Sequence, residues 1–210
     1  MRSADTTTIF RVLLVFFSVY LIIFKIDPII IIIILAIAFL LDGVDGYLAI
    51  RDQSSGDVTL KEYILAILGD LKYKNKIKKI KQGISEKYAY GPRMDVAGDR
   101  AVEYALWIVF IYLNIIPLFI IFIIIFRHSF VDAIMGVRGT SNKMKTRFAK
   151  MMYSSSISRG GVNVVKFITF SYLVFVYVSN WPIIYGYILT TILLCYIVVR
   201  GVAEVYESFA

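Results

Sequence analysis

Long apolar runs separated by short polar segments dominate the chain and limit what it can fold into. A helix that crosses the hydrocarbon core of a bilayer needs about 20 mostly apolar residues. Of the 210 residues, 59% are hydrophobic, and the mean hydropathy is +0.75, which is too apolar for an ordinary soluble domain. We therefore predict an all-α integral membrane protein in which residues 1–210 form a single transmembrane domain.

The apolar runs predict a bundle of six transmembrane helices. Prolines and short polar segments, such as Lys25–Pro28 and Asn180–Pro182, separate them, and a polar stretch from Arg127 to Lys150 follows the fourth. The predicted spans are Ile9–Phe24, Pro28–Ala49, Pro92–Leu113, Ile115–Phe126 and beyond, Val162–Val178 and Ile183–Val199.

The distribution of basic residues predicts the orientation of these spans. An even number of spans places both termini on one side, and Lys25 is the one basic residue in the turns near residues 26, 114 and 180 on the other. Because basic residues accumulate on the cytoplasmic side, we expect both termini to be cytoplasmic. The residues on that side include Arg2, Lys143, Lys145, Arg147 and Lys150.

Residues 52–90 form a basic insertion that is predicted to be cytoplasmic. A run of lysines can indicate nucleic-acid binding, but in a membrane protein it more simply indicates contact with anionic headgroups, so no nucleic-acid partner is expected. Its lysines are Lys72, Lys74, Lys76, Lys78, Lys79 and Lys81. Before them, apolar residues at helical spacing predict a short interfacial helix within residues 58–71.

Two pairs of aspartates stand at the ends of apolar runs. Asp42 and Asp45 close the second predicted span, and Asp95 and Asp99 open the third. Residues three or four apart share a helix face, so each pair projects in one direction. Because a carboxylate in a membrane helix costs about 2.5 to 3.5 kcal/mol, positive charge must lie between them. Divalent cations suit oxygen ligands, and a two-metal site suits transfer of a phosphate group.

These residues resemble the CDP-alcohol phosphotransferase family. Its pattern is Asp, two residues, Asp-Gly, two residues, Ala-Arg, a spacer, then Gly, three residues, Asp, three residues and Asp. Seven positions of this chain fall on the pattern: Asp42, Asp45, Gly46, Ala49, Gly91, Asp95 and Asp99.

Two features depart from the family pattern. Arg51 lies one residue later than the family's arginine, because Ile50 intervenes. The spacer from Arg51 to Gly91 is also much longer than the family's, and we expect the additional residues to loop out at the membrane surface. A family member that has lost its activity through these changes is one alternative.

The resemblance implies a reaction and a set of roles. A CDP-lipid, either CDP-diacylglycerol or CDP-archaeol, gives its phosphoryl-alcohol group to the hydroxyl of a small polar alcohol and releases CMP, a step of phospholipid biosynthesis. Asp99 would be the catalytic base, and two Mg²⁺ or Mn²⁺ ions would be bound in a cytoplasm-facing pocket. The metal ligands would be Asp42, Asp45, Asp95 and Asp99; the nucleotide would meet Asp42, Asp45, Gly46, Ala49, Arg51 and Gly91. A homodimer among membrane lipids is also implied.

The acceptor alcohol is less well defined. Arg138 and Arg159, each near small residues, are the candidates for binding it. A phosphorylated polyol, such as inositol phosphate or glycerol phosphate, would suit them, and so would the carboxylate of serine.

Two alternatives lie outside this chemistry. Intramembrane carboxylates also line the pathways of small cation transporters, and a structural subunit could pair its aspartates with basic residues. Arg11, one turn into the first span, can extend to the membrane surface or meet a phosphate. His128 is predicted to be interfacial, and Cys195 to face lipid or the core.

Overall fold

The chain is helical throughout the part that a computed structural model describes. That part comprises residues 3–54, 58–68, 70–73, 75–77, 79–80, 91–138 and 156–209. No strand occurs within these ranges, so the predicted all-α class is confirmed for them. The helices are α1 (Ser3–Ile23), α2 (Pro28–Gln53), α3 (Leu60–Leu68), α4 (Gly91–Tyr112), α5 (Phe119–Arg138), α6 (Ser156–Ser179) and α7 (Ile183–Phe209).

Four helical segments in the described ranges are long and apolar enough to cross a membrane. They are Ser3–Ile23, Pro28–Asp52, Gly160–Ser179 and Ile183–Tyr206. Many of their large apolar side chains are exposed, as expected for helices whose surroundings are lipid. Asp42 and Asp45 lie within the second of these segments.

The turns between helices agree with the sequence prediction. Lys25 and Asn114 follow α1 and α4 with positive φ values of 52° and 56°. In the first turn the N–H of Lys25 bonds to the carbonyl of Ile22 at 2.9 Å, and that of Ile26 to the carbonyl of Leu21 at 3.1 Å. This is the Schellman arrangement, in which a left-handed residue satisfies the last carbonyls of a helix.

Two compact units make up the chain. The first contains residues 1–20 and 33–105, and the second contains residues 21–32 and 106–210. Both aspartate pairs and α3 belong to the first unit. In the second, Phe170 packs edge-on against Trp107, with ring centroids 5.0 Å apart, and parallel to Phe110 at 6.2 Å. All three rings are buried, and they form the aromatic centre of this unit.

Helix α7 continues past the predicted span end at Val199, and α5 runs on to Arg138, beyond Phe126 as its open-ended prediction allows. The Nη2 atom of Arg127 lies 3.0 Å from the buried Oε1 of Glu204, and Nε of Arg200 lies 3.6 Å from the same oxygen. A Cβ on Gly201 would be 2.7 Å from Cγ of Arg127, so glycine allows this approach. The polar stretch predicted from Arg127 therefore begins as helix, because its charges pair with α7. His128, in the same helix as Arg127, is also buried by protein.

The described part of the insertion packs against the end of α2 and contains α3, which lies within the residues 58–71 where a short helix is predicted. Ile50 of α2 forms a small buried core with Val58, Ala66 and Ile77 of the insertion. The partly buried side chains around this core are Tyr63, Tyr73 and Ile80. The inward face of α3 carries Tyr63 and Ala66, whereas the apolar residues whose spacing predicts an interfacial helix, Leu60, Ile64 and Ile67, are exposed on another face.

A capping box fixes the start of α3. The backbone N–H of Glu62 donates to Oγ1 of Thr59 at 3.3 Å, and the N–H of Thr59 donates to Oε2 of Glu62 at 3.2 Å. Each residue satisfies a backbone donor that the helix itself leaves open. The hydrogen bond from Thr59, together with Lys76 at 3.3 Å, lowers the pKa of Glu62 below its ordinary value of 4.5.

We predict that Glu62→Ala loosens α3 at neutral pH. A carboxylate with a lowered pKa stabilises the fold above its unfolded pKa, and this contribution is lost as the pH falls through the folded value. Amide hydrogen exchange across residues 60–68 should therefore show lower protection factors in the variant at pH 7. In the wild type, protection should decrease only as the pH falls below 4.5. The matched control is Lys61→Ala, and equal protection in all three proteins would contradict the prediction.

Candidate acidic site

Three carboxylates meet in the first unit. One oxygen from each of Asp42, Asp45 and Asp95 lies within 4.8 Å of the other two. Asp42 and Asp45 occupy successive turns of α2, and Asp95 lies near the start of α4. Oxygens on opposite sides of a Mg²⁺ ion, each bound at about 2.1 Å, are about 4.2 Å apart. Small side-chain rotations would therefore let this oxygen-only set hold a hard divalent cation.

Asp99 is joined to this group through an arginine of α1. One guanidinium nitrogen of Arg11, Nη1, pairs with Oδ1 of Asp42, and the other, Nη2, lies 2.7 Å from Oδ1 of Asp99. Arg11 is only 3% exposed, so the prediction that it extends to the surface is wrong. The physical reason is that two carboxylates offer this guanidinium a closer partner than water at the membrane surface.

Negative charge still predominates in this group, because its four aspartates, at positions 42, 45, 95 and 99, face only the guanidinium of Arg11 among these five residues. Asp45 is 6% exposed and accepts a hydrogen bond of 3.2 Å from Oγ1 of Thr8. Asp99 keeps 46% of its side chain exposed. The group therefore has a buried side, where Asp45 contacts α1, and an accessible carboxylate, which is Asp99 on α4. Such a field favours an added cation.

Glycines near the aspartates make room for protein atoms as well as for a ligand. A Cβ on Gly98 would overlap the methyl group of Thr8 and lie 3.4 Å from Nη2 of Arg11. Glycine at this position, which is outside the family pattern, therefore lets α1 approach α4. At Gly43, in contrast, a Cβ would meet nothing within 4 Å.

The remaining motif residues lie at the same ends of α2 and α4. Ala49 is half-buried, Arg51 is exposed in the last turn of α2, and Gly91 is the first residue of α4. A Cβ on Gly46 would be 2.9 Å from the hydroxyl oxygen of Tyr63 on α3. The insertion thus reaches the motif directly.

The two arginines predicted for the acceptor belong to the second unit. Arg138 is the last residue of α5, and Arg159 lies in the first turn of α6. Their side chains lie outside the described residues, as do Gly139, Arg147 and most of the polar stretch that precedes α6.

Sequence reasoning did not identify Thr8 or Tyr63. Thr8 and Arg11 are three residues apart on α1, so they share a face of the helix, and this spacing could have been read from the sequence. Tyr63 carried no such signal, because aromatic residues at helical spacing ordinarily belong to a core.

Comparison with protein-family models, with curated proteins and with solved structures finds no match to this chain. The family resemblance therefore remains a prediction that depends on the motif positions and their spacing.

We predict that Arg11→Met destabilises the protein and that divalent cations restore part of the loss. Removing one partner of a fully buried ion pair typically costs about 3 to 5 kcal/mol, and the cost should be smaller here because Asp42 and Asp99 keep 22% and 46% of their side chains exposed. The thermal unfolding midpoint in detergent micelles should therefore fall, and added Mg²⁺ should raise it more than it does for wild type. Arg51→Met, which removes an exposed arginine at the same end of α2, is the control.

A variant with the wild-type midpoint, or with no greater response to Mg²⁺, would show that the guanidinium does not balance the acidic group.

Proposed function

We propose that this chain is a CDP-alcohol phosphotransferase. It would transfer the phosphoryl-alcohol group of a CDP-lipid to the hydroxyl of a small polar alcohol and release CMP, as a step of phospholipid biosynthesis. The observation that carries the proposal is the convergence of Asp42, Asp45 and Asp95, whose oxygens lie within 4.8 Å of one another. Asp95 is far from the other two in the sequence, and all three were selected by motif spacing alone.

Two Mg²⁺ or Mn²⁺ ions are the proposed cofactors, held by the same three aspartates and by Asp99. When bound, they would neutralise the pyrophosphate and the charge that develops on the departing CMP. The donor set is compatible with this role, since every proposed ligand atom is a carboxylate oxygen.

Asp99 is the proposed base. The acceptor's hydroxyl oxygen would form a bond to the lipid-linked phosphorus, and the bond from that phosphorus to the bridging oxygen of CMP would break. The hydroxyl proton would pass to the Asp99 carboxylate, and CMP would leave with the electron pair. The 46% exposure of this side chain supports the assignment, because an acceptor can reach it.

Arg11 would position the machinery without touching the reacting atoms. Its two nitrogens hold Asp42 of α2 and Asp99 of α4 relative to each other. A base and a metal ligand fixed by one planar group need little reorganisation when substrate binds.

We also propose that the chain crosses the membrane six times, with α4 and α5 as spans in addition to the four apolar segments. The positive-inside pattern then places both termini and the acidic site in the cytoplasm. A phosphorylated polyol is the proposed acceptor, bound by Arg138 and Arg159, and serine is the alternative. The homodimer implied by the resemblance is likewise proposed.

Asp99→Asn should abolish turnover while the protein stays folded. Loss of a general base typically lowers the rate by about 10² to 10⁴, so release of CMP from radiolabelled CDP-lipid should fall to that extent across a panel of acceptors. Asp52→Asn is the control: Asp52 lies at the same end of α2 but accepts hydrogen bonds from the backbone and hydroxyl of Ser3. Full activity of Asp99→Asn would remove it from the base role, and cation flux without CDP-lipid would favour a transporter.

The proposed orientation predicts opposite labelling of two serine positions. In a Cys195→Ala background, Ser54→Cys at the aspartate end of α2 should react with an impermeant maleimide only in inside-out vesicles. Ser179→Cys, at the end of α6, should react only in right-side-out vesicles. Labelling of both from the same face would contradict the six-span arrangement.

A further inference from the structure

Helix α3 presents one tyrosine to the aspartate motif. The hydroxyl oxygen of Tyr63 is 2.9 Å from the point that a Cβ on Gly46 would occupy. Any other residue at position 46 would therefore displace the phenol. The absence of a side chain at this motif position lets a residue of the insertion touch the α2 backbone.

This contact lies beside the acidic group. Gly46 is one helical turn beyond Asp42, so the two positions share a face of α2, and it directly follows Asp45. The hydroxyl of Tyr63 thus meets α2 within four residues of two of the three carboxylates that converge.

Packing holds the Tyr63 ring in place. Its centroid is 5.7 Å from that of Tyr47, and the Tyr47 hydroxyl donates a 3.3 Å hydrogen bond to the carbonyl of Val58 at the entry to α3. The ring also packs against the small core formed by Ile50 and the insertion. The apolar contacts involve the ring, and the hydroxyl is the part that reaches the motif.

The carboxylates of the acidic group offer no hydrogen-bond donor to an anionic ligand when they are ionised. Carboxylates can bind cations but repel phosphate oxygens. Arg11 is already paired with Asp42 and Asp99. A phenol supplies a donor without a second buried charge, and it adds an aromatic wall.

We propose that Tyr63 is a ligand-binding residue of the acidic site and that its hydroxyl donates a hydrogen bond to a phosphate oxygen of the bound cytidine nucleotide. The proposal rests on the proposed function, since it concerns the same nucleotide. It also gives the insertion a role, because residues that the family pattern lacks would complete the site.

The test compares two tyrosines of one insertion. Tyr63→Phe keeps the ring and removes the hydroxyl, whereas Tyr73→Phe makes the same change at the edge of the same core. Binding of CMP in the presence of Mg²⁺ is measured by titration calorimetry on the full chain in micelles. We expect about tenfold weaker CMP binding for Tyr63→Phe, since a hydrogen bond to a charged group is lost, and no change for Tyr73→Phe. Binding of Mn²⁺ without CMP should be unchanged in both.

A second variant approaches the contact from α2. Gly46→Ala should displace the hydroxyl and weaken CMP binding to a similar degree. The Michaelis constant for CDP-lipid should rise in Tyr63→Phe, and Tyr63→Ala should not bind CMP better than Tyr63→Phe does.

Wild-type affinity in Tyr63→Phe would overturn the proposal while leaving the proposed function intact. Equal losses in the two Phe variants, with a lowered unfolding midpoint, would assign Tyr63 a structural role only and would also overturn it. Wild-type protein that binds no CMP in Mg²⁺ would refute the proposed function, and this inference would fall with it.

Discussion

The guanidinium of Arg11 is the interaction on which the first unit depends. It lies between a carboxylate of α2 and one of α4, near the polar start of a long apolar helix. Carboxylates concentrated in this way repel one another, and burial makes the repulsion more expensive. One planar cation with donors on both edges relieves part of that repulsion and ties α1 to both aspartate helices. The acidic group can therefore exist without added ions and still remain negative enough to attract them.

Two glycines near the aspartates allow the surrounding helices to come close to this group. Gly98 admits α1, which brings Thr8 and Arg11 to the aspartates, and Gly46 admits Tyr63 from α3. Both contacts require a missing Cβ. The acidic centre is therefore enclosed by protein on two sides, while Asp99 stays accessible. An anionic centre with an open carboxylate suits a reaction in which a small alcohol must lose a proton to the protein.

Local signals were sufficient for part of this picture. The lengths of the apolar runs predicted the helices, and the residues after α1 and α4 predicted the turns. Helices and turns both depend on residues that are close together in the sequence. Spacing selected Asp42, Asp45 and Asp95. The end of α7 was placed too early, since charges near it pair across helices, as Glu204 does with Arg127. Tyr63 could not be predicted at Gly46, because that contact depends on how the insertion packs.

The most direct test is electron paramagnetic resonance of Mn²⁺ bound to the protein in the presence of CMP. The measured quantity is the coupling between the electron spin of the metal and the phosphorus nucleus of CMP. We expect the full chain to bind Mn²⁺ with a resolved phosphorus coupling. Asp45→Asn should lose both the binding of Mn²⁺ and the coupling. Protein that binds no Mn²⁺, or binds it equally well in Asp45→Asn, would contradict the claim that these aspartates hold cations around a nucleotide phosphate.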